Sequence, residues 1–552
     1  MTFHPEIAPL GSLLVSALIA LLPLLTMFVT LGALRWKAHW AGLASLGVAL
    51  IVAVVGFKMP AGMALLSATQ GATFGLFPIT WIVLTAIWLY QITVVSGRFE
   101  DLRATFGLIS DDPRVLAILI AFCFGGLLEA LAGFGATVAI TGVMLMAVGF
   151  SALRAAMVVL LANTAPVAFG AVGIPIITAG TLTGIDYHHI GATTASQILI
   201  PAIMVPCLLV LLADGRKGLA QTWPIAIIMG LSFGLTQWAS ATWISVELTN
   251  VIASLVSLAI GVVVLRIWQP RGASEAHERM AAERAEHGLA AIDSGAEQAR
   301  PALSGGRIVM ALFPYILVVA VFSIAKLVPF VARALTSTDV KFGWPGLYGH
   351  LVQADGKPNG AARFTFAWLS GPGTLLVITA IIVAIVYRVS AKDALNEFVK
   401  TVVKMRWSAA TIASVLALAY VMNFSGQTIT ICTWIAGVGG AFAFLSPILG
   451  WIGTAVTGSD TSANALFSTL QQTTAHQIGL DPTVLVSANT SGGVVGKMIS
   501  PQNLAIACSA VGMPGGESTI FRRVVWWSIG LLVLVCLIVG LQTTPVLGWM
   551  LP

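Results

Sequence analysis

The chain has 552 residues, 58% of them hydrophobic and only 9% charged, with a mean hydropathy of +0.94. Soluble domains carry about 25% charged residues, so 28 Lys and Arg with 22 Asp and Glu cannot cover a soluble surface of this size, and a soluble enzyme is excluded. Alternating amphipathic strands of about ten residues are missing, which favours helices over a β-barrel as the way to satisfy the backbone in lipid.

At about 20 residues per span, the sequence predicts an all-α polytopic membrane protein with about 12–14 transmembrane helices. The net charge of +6 then reads as cytoplasmic loops enriched in Lys and Arg. The opening MTFHPEIAPLG lacks the basic start and small-residue cleavage site of a secretory signal. The first apolar run, 12–34, is therefore expected to stay in place as a span. Runs at 40–57, 75–96 and 113–127 follow. The stretch 128–150 is apolar but interrupted by Gly and Thr, as are 171–185 and 427–520. Such segments suit re-entrant hairpins or interrupted helices, whose freed backbone groups need protein or water around them.

Glu129, in GGLLEALAGFGATVAITG, is the first ionisable group inside such a stretch. Intramembrane carboxylates are costly and hence functional candidates. Glu129 reads either as a proton carrier or as a structural carboxylate paired to a neighbouring helix. Gly133 and Gly135 beside it let backbones or a ligand approach closely. The run 153–170 carries Asn163-Thr164 just before a Gly/Pro-containing break. Broken helices expose unpaired N–H groups suited to an anion, although a lone Asn-Thr also serves as a cap. Adjacent His188 and His189 diverge, the five cysteines are scattered, and no metal site or cofactor is implied.

Runs at 190–213, 221–240 and 246–267 complete an N-terminal transmembrane half, 1–267. A polar divider, 268–306, comes next; counted from Arg266 to Arg307 with both ends included, the stretch holds six Arg and six Asp or Glu. It is expected to be a solvated tether before a C-terminal transmembrane half, 307–552, with apolar runs at 307–328, 366–387, 407–422 and 523–545. In TAVTGSDTSANALF, Ser459 and Asp460 sit among hydroxyls and an amide. That pattern suits a hydrated pocket, and equally a turn with an Asp cap. Asn489-Thr490-Ser491 repeats the Asn-Thr pattern before a second break. Lys497, in SGGVVGKMISPQN, offers a positive charge for an anionic substrate or snorkels to the interface. It is no Walker loop, because Met498 stands where Ser or Thr must hold the metal. The chain shows no Ser-His-Asp or Cys-His set, so no enzymatic chemistry is expected.

Two matches suggest a two-fold internal repeat. The amphipathic segments starting at Ser96 and Ser390 are 294 residues apart, an offset that also pairs Glu129 with Asn423. Ala162-Asn163-Thr164 recurs as Ala488-Asn489-Thr490 at an offset of 326. Reconciling the two requires about 32 extra residues in the second half, around 445–480. Basic clusters at Arg35/Lys37, Arg216/Lys217, the divider and Arg388 to Arg406 all favour the cytoplasm. That puts both amphipathic segments on one side, which inverted repeats would not do.

LLEALAGFGATVAI, LANTAPVAFGAVGIPI, GSDTSANALF and SANTSGGVVGKMISPQNLAIA closely resemble the bacterial L-lactate permease family, and the resemblance runs over essentially the whole chain. It implies proton-coupled uptake of L-lactate, D-lactate and glycolate across the bacterial inner membrane. By more distant analogy, the Asn-Thr pairs resemble the Ser-Asn-Thr hairpin tips of dicarboxylate carriers, which implies an elevator-type movement. Ala130, Leu131 and Thr137 depart from the family's Glu-Gly-Ala-Ala-Gly-Phe-Gly-Ala-Pro pattern and put the choice among small monocarboxylates in question. The expectation is a lactate/glycolate:proton symporter with a small carboxylate, protons and the bilayer as partners. Glu129 and Asp460 would couple the proton. Gly133, Gly135, Asn163, Thr164, Ser459, Asn489, Thr490, Ser491 and Lys497 would bind substrate. A carrier of another small carboxylate, or an ion-translocating subunit of a respiratory complex, remains the alternative.

Overall fold

The computed structural model describes residues 2–30, 34, 36–101, 109–132, 135–286, 305–352, 358–513 and 516–552. It is built almost wholly of helices. Among the described residues, eight helices are long and apolar enough to cross a membrane, or nine if one bent pair counts as a single span. The expected crossings are therefore not uniform, because shorter apolar pieces such as Thr137–Val148 and Gly439–Ala455 fill the rest. The 57-residue run Tyr187–Trp243 contains a left-handed Gly215. There it folds back on itself, bringing Gly230 against Ile203 and Gly234 against Leu199. Large apolar side chains face outward, with Ile267 83% and Val55 74% exposed, while Ser, Thr, Asn and Gln side chains are buried. This inside-out distribution is what a lipid solvent selects.

Two sets of elements share one order. The long helix Ala61–Val95 is followed by a hairpin, a bent helix and a span, and Ala391–Ser425 is followed by the same three. The first hairpin runs from Pro113 through Ala132 and returns as Ala136–Val148; the second is Phe442–Thr457 with Asp460–Ile478. The first bent helix is Ala152–Ala162 with Val167–Thr183, bent by 64°; its counterpart in the second unit is Pro482–Gly496 with Pro501–Ala510, broken by the 3₁₀ turn Lys497–Ile499. Spans starting at Tyr187 and Glu517 close the units. Starting residues 61, 113, 152 and 187 recur at 391, 442, 482 and 517, offsets of 329 or 330 throughout.

The repeat is thus real, but its offset is near that of the Asn-Thr motif and not 294. The segments at Ser96 and Ser390 are not mates, and no 32-residue insertion is needed. Amphipathic helices beside a membrane look alike for a generic reason, the 3.6-residue period of an interfacial face, and that produced the false match. Asn423 sits near the end of a long helix, donating from Nδ2 to Thr469 at 3.0 Å, and is not a counterpart of Glu129.

The units are inverted. The equivalent helices Ala61–Val95 and Ala391–Ser425 lie antiparallel, with Gly71 against Leu416 and Ala417, and Trp88 Nε1 donating to Ala394 O at 2.8 Å. Each hairpin packs on the bent helix of the other unit. The return arm of the first runs beside Pro501–Ala510, bringing Gly135 to Asn503 and Ile506, and Gly142 to Ala510 and Val511. The return arm of the second runs beside Gly170–Thr183, with Asn464 Nδ2 on Pro175 O at 3.1 Å and Gln472 Nε2 on Thr183 O at 2.8 Å. Gly450 and Gly492 permit the tightest crossing, between Phe442–Thr457 and Pro482–Gly496. A Cβ on either would lie 1.8 Å from a backbone carbonyl of the other helix.

Outside these units, a small cap holds the two-stranded antiparallel sheet β1 (Val340–Gly343) and β2 (Arg363–Phe366). The sequence reading gave no such element, because two four-residue strands leave no periodic signal. The polar divider begins as the helix Ala273–Glu286; its residues 287–304 lie outside the described residues.

Candidate functional site

Both hairpins and both helix breaks meet at one small cavity. It has a volume of about 30 Å³ and is lined by Glu129, Gly170, Pro175, Ser459, Asp460 and Lys497, among others. That is room for one or two waters, so the side chains lining the site leave little free space between them.

The first hairpin supplies Glu129, placed one turn before the chain reverses. Its Oε1 accepts a hydrogen bond from Lys497 Nζ at 2.6 Å, and its Oε2 accepts one from Thr137 Oγ1 at 2.9 Å. Both side chains of the ion pair are buried, Lys497 8% and Glu129 2% exposed. Lys497 is delivered by the break in the second bent helix. There Pro482–Gly496 tightens into the 3₁₀ turn Lys497–Ile499 before Pro501 restarts the helix. The Lys497 carbonyl freed by this break accepts from Ser500 Oγ and Asn503 Nδ2, each at 2.9 Å.

The second hairpin turns at left-handed Gly458, and Ser459 caps the next helix by accepting from the Ser462 N–H at 3.3 Å. Asp460 opens that helix. Its Oδ1 accepts from Thr454 Oγ1 at 3.4 Å, and its Oδ2 is buried without a hydrogen-bond partner. Gly493 makes room for it, since a Cβ there would sit 2.0 Å from Asp460 Oδ1. Opposite lies the break in the first bent helix, where Ala171, Val172 and Gly173 all have positive φ. Two non-glycine residues in the left-handed region are strained and persist only when their surroundings impose it. Two helix N-termini, the one that resumes past Gly173 at Pro175 and the one at Asp460, thus border the cavity, an arrangement that favours negative charge.

Of the residues singled out in the sequence, Glu129, Ser459, Asp460 and Lys497 come together here. Gly135 lies at the first hairpin's turn against Asn503 and does not line the cavity, and Gly133 lies outside the described residues. Asn163 and Thr164 occupy the first break but do not line the cavity: Thr164 Oγ1 donates to Leu161 O at 2.6 Å, and Asn163 Oδ1 is buried without a hydrogen-bond partner. The carbonyls of that break are satisfied by Gln237 Nε2 on Ala165 O at 3.0 Å and Asn250 Nδ2 on Pro166 O at 2.5 Å. Asn489, Thr490 and Ser491 sit inside the continuous helix Pro482–Gly496, short of its break. They bond protein groups: Asn489 and Thr490 join Asn464, and Ser491 Oγ donates to Gln197 Oε1 at 2.7 Å. The sequence reading missed Gln197, Gln237, Asn250 and Asn503. Their signal was present, since an amide inside an apolar run must find a partner.

A much larger cavity, about 990 Å³, lies elsewhere, between the cap, the far end of Gly170–Thr183 and the middle of Asp460–Ile478. Thr183 and Gln472 line it, whereas Pro175 and Asn464 mark the site end of the same helix pair. At 1.5 Å per residue, the eight residues from Pro175 to Thr183 put roughly 12 Å between the two levels.

Residues 16–546 match the family model described as L-lactate permease. The chain is 42% identical to the glycolate permease GlcA of Escherichia coli (strain K12), over 95% of each chain. It is also 42% identical to the L-lactate permease of Bacillus subtilis (strain 168), over 98% of each. A solved structure titled "Crystal structure of the Alcanivorax borkumensis YdaH transporter reveals an unusual topology" is similar over 98% of this chain and 99% of that one, with 13% identity and a TM-score of 0.46.

Proposed function

The chain belongs to the L-lactate permease family, and on that premise we propose that it imports L-lactate, D-lactate and glycolate together with a proton across the bacterial inner membrane. It is a multi-pass permease and not an enzyme. The observation that carries the proton coupling is the buried Glu129–Lys497 contact at 2.6 Å, in the wall of a cavity bordered by two helix N-termini.

The pair couples proton and anion by exchange. While Glu129 is ionised it occupies Lys497, and a substrate carboxylate meets a site whose cation is already neutralised. A proton on Glu129 removes its charge and releases the ammonium, and the substrate carboxylate then takes the vacated place. Ser459 and Thr461 at the cavity wall offer hydroxyls to the 2-hydroxy group. Asp460 is a second carboxylate for the proton. The exchange leaves the net charge of the ion-pair site unchanged between its empty and loaded states. A lone lactate anion entering against an inside-negative potential would cost about 2.3 kcal/mol per 100 mV, and one proton cancels that charge. Asn163, Thr164, Asn489, Thr490 and Ser491 support the site from behind in this reading, since none of them lines the cavity.

Purified protein in liposomes, given labelled L-lactate and an inward proton gradient, tests this. Accumulation that collapses with a protonophore and is lost in Glu129→Gln is expected. Accumulation by Glu129→Gln equal to that of the unmodified protein removes Glu129 from the role.

A further inference from the structure

We infer that Asn464 is a positioning residue that brackets the second hairpin to both bent helices and so sets the affinity of the site without taking part in its proton chemistry. The inference rests on the site assignment above and extends it. Asn464 lies one turn beyond Asp460 on the same face of the helix. Its Nδ2 donates to Pro175 O at 3.1 Å and to Thr490 Oγ1 at 2.9 Å. Its Oδ1 accepts from Asn489 Nδ2 at 2.8 Å and from Thr490 Oγ1 at 3.1 Å. A primary amide has two donor and two acceptor positions, and all four are engaged. Asn464, Asn489 and Thr490 are fully buried, where such contacts are costly to leave unmade. One side chain therefore ties the helix carrying Ser459 and Asp460 to the first bent helix at Pro175 and to the second at Asn489 and Thr490.

The two hairpins are held across the site in different ways. The first reaches the second bent helix through Glu129 on Lys497, a contact that depends on charge. The second is held through neutral amides and a hydroxyl, which no physiological pH alters. Lys497 and Asp460 are the charged groups sharing the cavity with Glu129, and Asn464 meets none of them in its bonds. Neutralising Glu129 therefore loosens the first hairpin and leaves the second, with Ser459 and Asp460, in place as the fixed wall against which substrate is bound.

The test compares Asn464→Ala with the unmodified protein in L-lactate counterflow at equal pH on both sides. The expected result is a half-saturation concentration raised about tenfold, the loss of roughly one buried hydrogen bond's worth of positioning, with the pH midpoint of uptake unmoved. An unchanged half-saturation with only a lower maximal rate overturns the inference, and so does a displaced pH midpoint. Thr490→Val, which keeps the shape and removes two of the four bonds, should move half-saturation the same way by a smaller factor; no change there also counts against it. Asn464→Asp keeps the acceptors and turns a donor into an oxygen facing Pro175 O, so its half-saturation should improve towards acid pH as the new acid donates. A Ser459→Cys reporter, in a background without the five native cysteines, reads the bracket independently of transport. Faster maleimide labelling with Asn464→Ala supports the bracket and equal rates refute it. If the unmodified protein takes up no L-lactate, the substrate assignment fails while the labelling comparison still decides the bracket.

Discussion

Glu129 and Lys497 show how strongly one buried charge depends on another. Removing one partner of a buried ion pair costs about 3–5 kcal/mol, whereas replacing both with uncharged groups is often neutral. Lys497→Met should therefore lower the thermal unfolding temperature of the detergent-solubilised protein, because Glu129 keeps only Thr137 as a partner. Adding Glu129→Gln to it should restore most of the loss while leaving accumulation absent. A double variant as unstable as the single one contradicts this account. Gly493 makes a second prediction at this scale. Its missing Cβ is the space Asp460 Oδ1 occupies, so Gly493→Ala must push the Asp460 carboxylate toward the cavity. The half-saturation for L-lactate should rise several-fold in proteoliposome uptake, and a value equal to that of the unmodified protein would show that Asp460 does not shape the site.

Elements are held at their ends by polar contacts that the apolar faces cannot supply. The base of the first hairpin carries Arg114, fully buried, bonded to Asp112 at 2.7 Å and 3.0 Å, to Gln221 at 2.5 Å and to Arg271 O at 2.9 Å. Asp214, beside the Gly215 reversal, accepts from Arg114 at 3.4 Å and from Arg279 at 2.6 Å and 2.7 Å. Arg279 belongs to Ala273–Glu286, so the helix opening the polar divider is pinned to the hairpin base. Arg279→Ala should release that helix, seen as faster amide hydrogen exchange over 273–286 with the spans unaffected. Unaltered exchange would mean the helix is held by its apolar contacts instead. Arg114→Ala should be far worse, because it takes the side-chain partner from buried Asp112 and leaves Asp214 with Arg279 alone.

At the scale of the whole molecule, every residue lining the site cavity belongs to the hairpins and bent helices, and none to the long helices Ala61–Val95 and Ala391–Ser425 or to the cap. A site complete within one set of elements can move as a unit against the remainder, which suits an elevator-type carrier. Exchange of a protonated Glu129 for a bound anion also predicts the energetics of transport. With one proton per monocarboxylate the step is electroneutral. A gradient of one pH unit should then support about tenfold accumulation of L-lactate, while an imposed potassium-diffusion potential at equal pH should support almost none. Strong accumulation driven by potential alone would require more than one proton per substrate and would bring Asp460 in as a second carrier of charge.

Composition and periodicity decided the class of this protein without its fold. With 9% charged residues and apolar runs of span length, helices in lipid were the remaining solution, since an unpaired backbone is intolerable there. Glu129, Asp460 and Lys497 were legible because isolated charges in apolar sequence are expensive and so are retained for a reason. Tertiary structure alone decided which of these meet: Glu129 and Lys497 are 368 residues apart in the chain, and only the inverted packing of each hairpin on the other unit's bent helix brings them to 2.6 Å. The same packing turned Asn489 and Thr490 away from the cavity and onto Asn464, because side-chain direction on a helix follows from what that helix packs against and not from the residue type. The parity of the repeat was likewise beyond the sequence, since an amphipathic segment has the same pattern on either side of a membrane.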